Sequence, residues 1–176
     1  MFEDQSVNVL HEDLTLFEEI VRRPEFAQTP IFLLLVMAVF ELGFMIFTQS
    51  VLDDAARSAA RLIRTGQVQS GGGQQAFQTM LCNSVSSIIG CDSIIYQSQQ
   101  FPSWSAAQTA VNQPPQRDEN GNLITSGFTA GSGGEIIVVQ VTYSHRFFTL
   151  LVGERLGSGT NSAFLMSTVA FQNEPF

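Results

Sequence analysis

Residues 31–52 have the sequence IFLLLVMAVFELGFMIFTQSVL, and residues 31–47 of this stretch contain a single charged side chain, Glu41. As a helix the stretch would be about 33 Å long at about 1.5 Å per residue. The hydrocarbon core of a bilayer is about 30 Å thick, so one crossing fits. A core helix of a soluble protein would show a polar face at helical spacing, and this stretch shows none. The stretch therefore predicts a membrane-spanning helix.

A secretory signal peptide is the main alternative, because small residues that suit cleavage follow the run in DDAARSAAR. Such a signal has a short basic start and an apolar region of about 7–15 residues. Here thirty residues, several of them acidic, precede the run, so we expect an uncleaved anchor. Charge does not decide the orientation, since arginines stand on both sides of the run: Arg22 and Arg23 before it, and Arg57, Arg61 and Arg64 after it.

The helix is expected to continue beyond the membrane. The sequence VLDDAARSAARLIRTG lacks glycine and proline until Gly66, which predicts a C-terminal cap at that residue. Asp53 and Arg57 stand four residues apart in the order that favours an ion pair. Helical spacing places two sets on different faces: Arg57, Arg61 and Arg64 on one, and Leu52, Ala56, Ala59 and Ile63 on the other. The alanine face suits close packing, in the first place against the chain's own sheet and otherwise against a neighbouring helix.

A flexible joint, QVQSGGGQ at residues 67–74, precedes a second, amphipathic helix that is expected to reach Gly90. Its apolar residues recur at helical spacing: Phe77, Leu81, Val85, Ile88 and Ile89. The chain's two cysteines, Cys82 in this helix and Cys91 just after it, could be bridged if the chain reverses at Gly90. They would form a disulfide in an oxidising compartment and remain buried thiols in a reducing one.

The rest of the chain predicts strands and loops. Residues 93–99, 135–146 and 163–171 are rich in β-branched and aromatic side chains. The polar segment 101–134, with Pro114, Pro115 and the turn signal Asn120-Gly121, predicts a long loop with room for a hairpin. A three-stranded antiparallel sheet against the outer half of the long helix would bury the apolar faces, which gives an α+β fold.

Composition and motifs exclude several functions. All eight cationic residues are arginine, sixteen acidic residues bring the net charge to -8, and such a chain has no electrostatic footprint for nucleic acid. We identify no catalytic residue, no cofactor site and no metal site, since two cysteines and two distant histidines are too few ligands. His145 is expected to be a half-exposed strand residue. The sequence thus predicts that the protein is not an enzyme.

Residues 30–67 resemble the N-terminal region of TadE-like pseudopilins, components of the tight-adherence (Tad) pilus systems of bacteria. Further landmarks follow in the same order: LCNSVSSIIGCDS, GGEIIVVQVTY, FFTLLVGERL and VAFQNEPF. The resemblance implies a single-pass protein of the bacterial inner membrane with a pilin-like C-terminal domain in the periplasm. Residues 1–29 would then be a leader and cytoplasmic segment, residues 30–52 the transmembrane helix and residues 53–176 the periplasmic domain. A Cys82–Cys91 disulfide suits that compartment.

Members of this family are prepilin-like, and usually carry a glycine cleavage site several residues before a Glu-Phe pair. Glu25-Phe26 resembles that pair, but Ile20 stands where glycine is expected and Pro24 precedes Glu25. We therefore expect the leader to remain uncut at Val21. In a pilin the glutamate neutralises a neighbour's new N-terminal amine, a partner that Glu25 would lack without cleavage.

Glu41 predicts a contact with another protein. A charged group this deep in a bilayer costs about 2.5–3.5 kcal/mol, so the carboxyl group should be protonated or hydrogen-bonded and should face protein. Gly43 nearby would admit a close neighbour. The alternative is a protonated Glu41 that faces lipid. We place Glu25, Phe26, Glu41 and Gly43 as candidate contacts with a partner helix.

The expected function is assembly, through helix packing and domain docking without catalysis. The protein would be a minor, priming subunit of the Tad pilus that enters the surface filament, or a membrane factor of the assembly machine. Its partners would be other pseudopilins, the major pilin, the inner-membrane platform and the lipid bilayer, in a homo- or hetero-oligomer. The alternative is a membrane-anchored adhesion module that binds a surface ligand through residues 101–134. An envelope enzyme is the weakest interpretation.

Overall fold

A computed structural model describes residues 24–69, 72–86, 88–111, 127–157 and 161–176. The elements are helix α1 (Pro24–Arg64), helix α2 (Gly73–Val85), a short 3₁₀ turn (Cys91–Ser93), strand β1 (Ile94–Phe101), helix α3 (Trp104–Val111), strand β2 (Ile136–Arg146), helix α4 (Leu150–Leu156) and strand β3 (Ser162–Gln172). The predicted α+β architecture is confirmed: a long apolar N-terminal helix, a second helix and a three-stranded antiparallel sheet. The chain divides within α1, between Leu42 and Gly43, into two compact units.

The end of α1 follows from Gly66. This residue has φ +74°, a left-handed conformation that glycine adopts without steric cost. Its N–H donates to the carbonyl of Ile63, and the N–H of Gln67 donates to the carbonyl of Leu62, both at 3.0 Å. These two bonds form a Schellman motif, which satisfies carbonyl groups of the last helical turn. The predicted cap is therefore confirmed.

The sheet has the strand order β1-β2-β3, and both neighbouring pairs are antiparallel. Strand β2 is the central strand, with Ile94 opposite Tyr143 on one side and Leu165 opposite Tyr143 on the other. Its sequence begins IIVVQV, and all six of these residues are buried. A strand that is covered on both faces has a largely apolar sequence, here interrupted by Gln140, because neither of its alternating sets of side chains faces water.

The main core of the second unit lies between helices α1 and α2 and one face of the sheet. Its buried members include Leu52, Ala56, Ala59 and Ile63 of α1, Phe77, Leu81 and Val85 of α2, and Ile137, Val139 and Val141 of β2. A smaller cluster covers the opposite face of the sheet, where Ala107 of α3 packs with Ile136 and Val138. The sheet is thus covered by helices on both sides.

Three sequence expectations differ from the structure. Part of the predicted loop 101–134 is helical, since α3 occupies Trp104–Val111. Helix α2 ends at Val85, short of Gly90, and the main chain turns before Ile89, which still reaches the core. Helix α4 was not predicted, because its seven residues are too few to show helical periodicity.

Candidate assembly surface

The first unit presents an apolar surface on α1. Seven of its side chains are more than half exposed: Ile31, Phe32, Leu33, Leu35, Met37, Val39 and Phe40. Within the described residues, Thr29–Arg64 is long and apolar enough to cross a membrane by its length and composition. Exposed apolar patches of this kind mark contact with lipid or with another protein.

Glu41 and Gly43 differ in exposure. Glu41 is 4% exposed, whereas its neighbour Phe40 is 71% exposed, so the carboxyl group lies on a covered face of α1. Gly43 is exposed, and a Cβ atom placed there would meet no atom within 4 Å. Glu25 and Phe26 lie in the first turn of α1. Contact of these four residues with a partner helix stays a prediction, and the expected uncut leader at Ile20 and Val21 lies outside the described residues.

The expected ion pair of Asp53 with Arg57 is wrong. Arg57 Nη1 instead lies 3.5 Å from Asp54 Oδ1, while Asp53 Oδ1 accepts a hydrogen bond from Gln49 Nε2 at 3.0 Å. The reason is that Gln49, one helical turn earlier, engages the Asp53 carboxylate. The side chains of Arg57 and Asp54 are 68% and 77% exposed, so their pair contributes little to stability.

The remaining arginines of α1 also face solvent. Arg61 is exposed, and Arg64 Nε lies 3.3 Å from Glu174 Oε1 at the far end of the helix. The predicted arginine face is therefore present on α1. Its position outside a membrane stays a prediction.

The alanine face of α1 is covered by the chain's own sheet. Ala55, Ala56 and Ala59 are 0% exposed and belong to the core that β2 completes. Close packing of helix on sheet excludes water from this face. Of the two expected uses of the alanine face, packing within the chain is the one that the structure shows.

Cys82 and Cys91 form a disulfide, with their Cα atoms 5.2 Å apart. The bridge joins α2 to the 3₁₀ turn that leads into β1. It therefore fixes the connection whose chain reversal the sequence predicts around Gly90.

His145 is buried, at 2% exposed, which corrects the expectation of a half-exposed residue. Three aromatic rings surround the imidazole: its centroid lies 6.0 Å from that of Phe44, 6.3 Å from that of Tyr143 and 5.6 Å from that of Phe147. This contact of α1 with β2 was missed because it joins distant parts of the sequence. In the part of the chain that the structure describes, no group of three or more His, Cys, Asp or Glu residues could hold a metal ion.

A known protein family matches the part of α1 that includes the exposed apolar side chains. Residues 29–61 match the family model TadE, described as TadE-like protein. This segment is TadE-like. The match runs from the exposed apolar surface of α1 into its buried alanine face, and it confirms the resemblance over residues 29–61. The resemblance of the later landmarks stays a prediction. The TadE-like match and the candidate membrane helix fit a membrane-anchored protein.

No curated protein and no solved structure matches the chain.

Proposed function

We propose that this protein is a minor pseudopilin or membrane assembly factor of a Tad-type pilus. Helix α1 anchors it in the bacterial inner membrane, and the sheet domain lies in the periplasm. It acts by packing α1 against helices of pilus proteins and by docking the domain, without catalysis. Its partners are other pseudopilins, the major pilin and the inner-membrane platform.

The main support for this proposal is that the two halves of the TadE-like segment differ in what they expose. Its second half uses the alanine face to hold the chain's own sheet, so that face is not open to a partner. Its first half exposes large apolar side chains and the small residue Gly43. Small residues let two helices approach closely in a membrane, where packing drives association. We therefore place the partner contact on the part of α1 before Phe44.

Deletion of the gene and complementation with the full chain test the function. We expect the deletion strain to lose surface pili by electron microscopy, and the complemented strain to regain them. Normal piliation in the deletion strain would contradict a role in assembly. Purification from detergent-extracted membranes, with partners identified by mass spectrometry, should recover pilus components with the protein.

A second candidate function is adhesion through the segment 101–134. Trp104, at the start of α3, is 52% exposed, and an exposed tryptophan is a common anchor in protein recognition. Under this function, Trp104→Ala would leave piliation normal and weaken adhesion to a surface. Under the assembly function, the same variant would leave both unchanged.

A further inference from the structure

The connection between β2 and β3 carries an exposed apolar cluster that pilus assembly does not explain. Phe148 is 77% exposed, Leu150 70% and Leu156 54%, and all three lie in or next to α4. The base of the connection is fixed: the N–H of Phe147 donates to the carbonyl of Asn161, and Asn161 Nδ2 donates back to the carbonyl of Phe147, both at 3.0 Å. Phe148, Leu150 and Leu156 are hereafter the α4 apolar cluster.

Three contacts fix how α1 runs along the sheet. The Phe44 ring packs against His145 near the end of β2, Gln49 Nε2 donates to the carbonyl of Met166 within β3 at 3.2 Å, and the N–H of Glu174 donates to the carbonyl of Arg64 at 3.0 Å. Because His145 is opposite Ala163 of β3 and Glu174 follows β3, the contacts occur in the same order along α1 and along residues 163–174. The two elements therefore run in the same direction.

This alignment places the α4 apolar cluster at one particular end of the domain. His145 is opposite Ala163 in the sheet, and the connection leaves β2 directly after Arg146. It therefore lies at the end of the domain where Phe44 stands. The opposite end, at Arg64 and Glu174, is about 30 Å away at about 1.5 Å per residue of α1.

The same alignment bears on where the membrane ends. Thr48 and Leu52 are 1% and 0% exposed because the domain covers them, whereas Ile46 and Phe47 are 66% and 52% exposed. If hydrocarbon reached Leu52, the exposed Arg146 at the end of β2 would be immersed in it. A charged side chain in that position is strongly unfavourable. A membrane surface close to Phe44 avoids this, and the part of α1 before Gly43, residues 24–42, is still about 28 Å long, close to the thickness of about 30 Å of the core.

We propose that the α4 apolar cluster inserts into the surface of the bilayer that α1 spans, as a second, interfacial membrane contact. The bilayer surface then lies near Phe44 rather than at Leu52. Glu154 and Arg155 of α4 are both exposed, and of the two the arginine suits this position because its guanidinium group can extend to lipid headgroups. Lipid is favoured over a protein partner because Phe44, Ile46 and Phe47, near the same end of the domain, are exposed apolar side chains as well. The proposal rests on α1 being a membrane span.

Depth-dependent fluorescence quenching tests this proposal on the full chain in bilayers. Trp104 is the chain's one tryptophan, so Trp104→Phe gives a silent background. Leu150→Trp and Leu156→Trp report on the cluster. Met80→Trp, at an exposed position of α2, is the matched control, and Phe40→Trp reports on the span itself. Vesicles contain phosphatidylglycerol and phosphatidylethanolamine with bromine atoms on the acyl chains.

We expect quenching of Leu150→Trp and Leu156→Trp to be several-fold greater than that of Met80→Trp. Quenching equal to that of Met80→Trp, while Phe40→Trp is quenched, would overturn the interfacial contact and leave the span intact. Loss of quenching in Phe40→Trp would instead refute the span on which the proposal rests. Quenching at the cluster that is absent at high protein density and appears only when the protein is diluted in lipid would show that a second copy covers it, which also overturns the proposal.

Discussion

The side-chain amide of Gln49 donates a hydrogen bond to the main-chain carbonyl of Met166, 117 residues later in the chain, at 3.2 Å. The same nitrogen donates to Asp53 Oδ1, so both of its hydrogens are used. Gln49 therefore joins α1 to the edge strand β3. Gln49 is a polar residue in an otherwise apolar part of α1, and its hydrogen bond to the Met166 carbonyl explains why it is there.

Replacement of Gln49 by leucine should destabilise this unit. The variant keeps the apolar character of the run but removes both hydrogen bonds, and each such bond contributes about 1 kcal/mol. We expect the detergent-solubilised protein to unfold at lower denaturant concentration. Ser50→Leu, at the exposed neighbouring position, is the control and should leave the midpoint unchanged. Equal midpoints for the two variants would show that the Gln49 bonds add no stability.

Reduction of the Cys82–Cys91 disulfide should lower the free energy of unfolding by about 2–3 kcal/mol, the entropy expected for so short a closed loop. Unfolding with and without reductant measures this difference. The double variant Cys82→Ala/Cys91→Ala should match the reduced protein and should not respond to reductant. Free thiols in protein isolated from cells under non-reducing conditions would contradict the pairing in the cell.

Enlargement of the alanine face should separate α1 from the sheet. Ala56 is 0% exposed within the core, so Ala56→Leu forces extra atoms into a packed interior at a cost of about 1–3 kcal/mol. Ser58→Leu makes a similar addition on the exposed side of the same helix and should be near neutral. Thermal unfolding of both variants measures the contrast. A wild-type midpoint for Ala56→Leu would mean that the helix is not packed on the sheet as described.

Substitution of Glu41 should separate an assembly role from a structural one. Glu41→Gln can still donate and accept hydrogen bonds, so we expect it to retain much of the assembly. Glu41→Leu should insert well but assemble poorly. Val39→Leu, at an exposed apolar position, is the control. Piliation and co-purified partners are the measurements.

Because Glu41 is buried, each Glu41 variant also needs a test of folding. Two measurements serve this purpose: disulfide formation at Cys82 and the amount of membrane-inserted protein. Both folding and insertion precede assembly. Normal complex formation and piliation by a folded Glu41→Leu protein would remove the assembly role from the carboxylate.

The elements that the sequence predicts well are those with a strong periodic signal or a specific terminator. Helix α1 carries an unbroken apolar run and then an alanine face, and Gly66 ends it with a conformation that few other residues adopt. The three strands are rich in β-branched residues. These signals are local, so they are visible without knowledge of the tertiary structure.

What sequence reasoning missed depends on tertiary contacts. Helix α3 has eight residues and is held on the sheet through Ala107, a residue too common in helices and loops to mark a buried position. His145 is buried because Phe44 arrives from a distant part of the chain. Arg57 pairs with Asp54 and not with the predicted Asp53, because Gln49 donates a hydrogen bond to the Asp53 carboxylate. In each case a remote or competing side chain overrides the local pattern.

The position of β2 and β3 has a consequence for biogenesis. The ribosome completes α1 long before it makes the two strands that help to cover Leu52 and Ala59, so the domain cannot close while α1 is being inserted. Contacts between elements so far apart in sequence form slowly, because the intervening chain must first be brought together. The protein should therefore pass through an inserted but unfolded intermediate, whose open alanine face is the part most exposed to proteases and to helper proteins at the membrane.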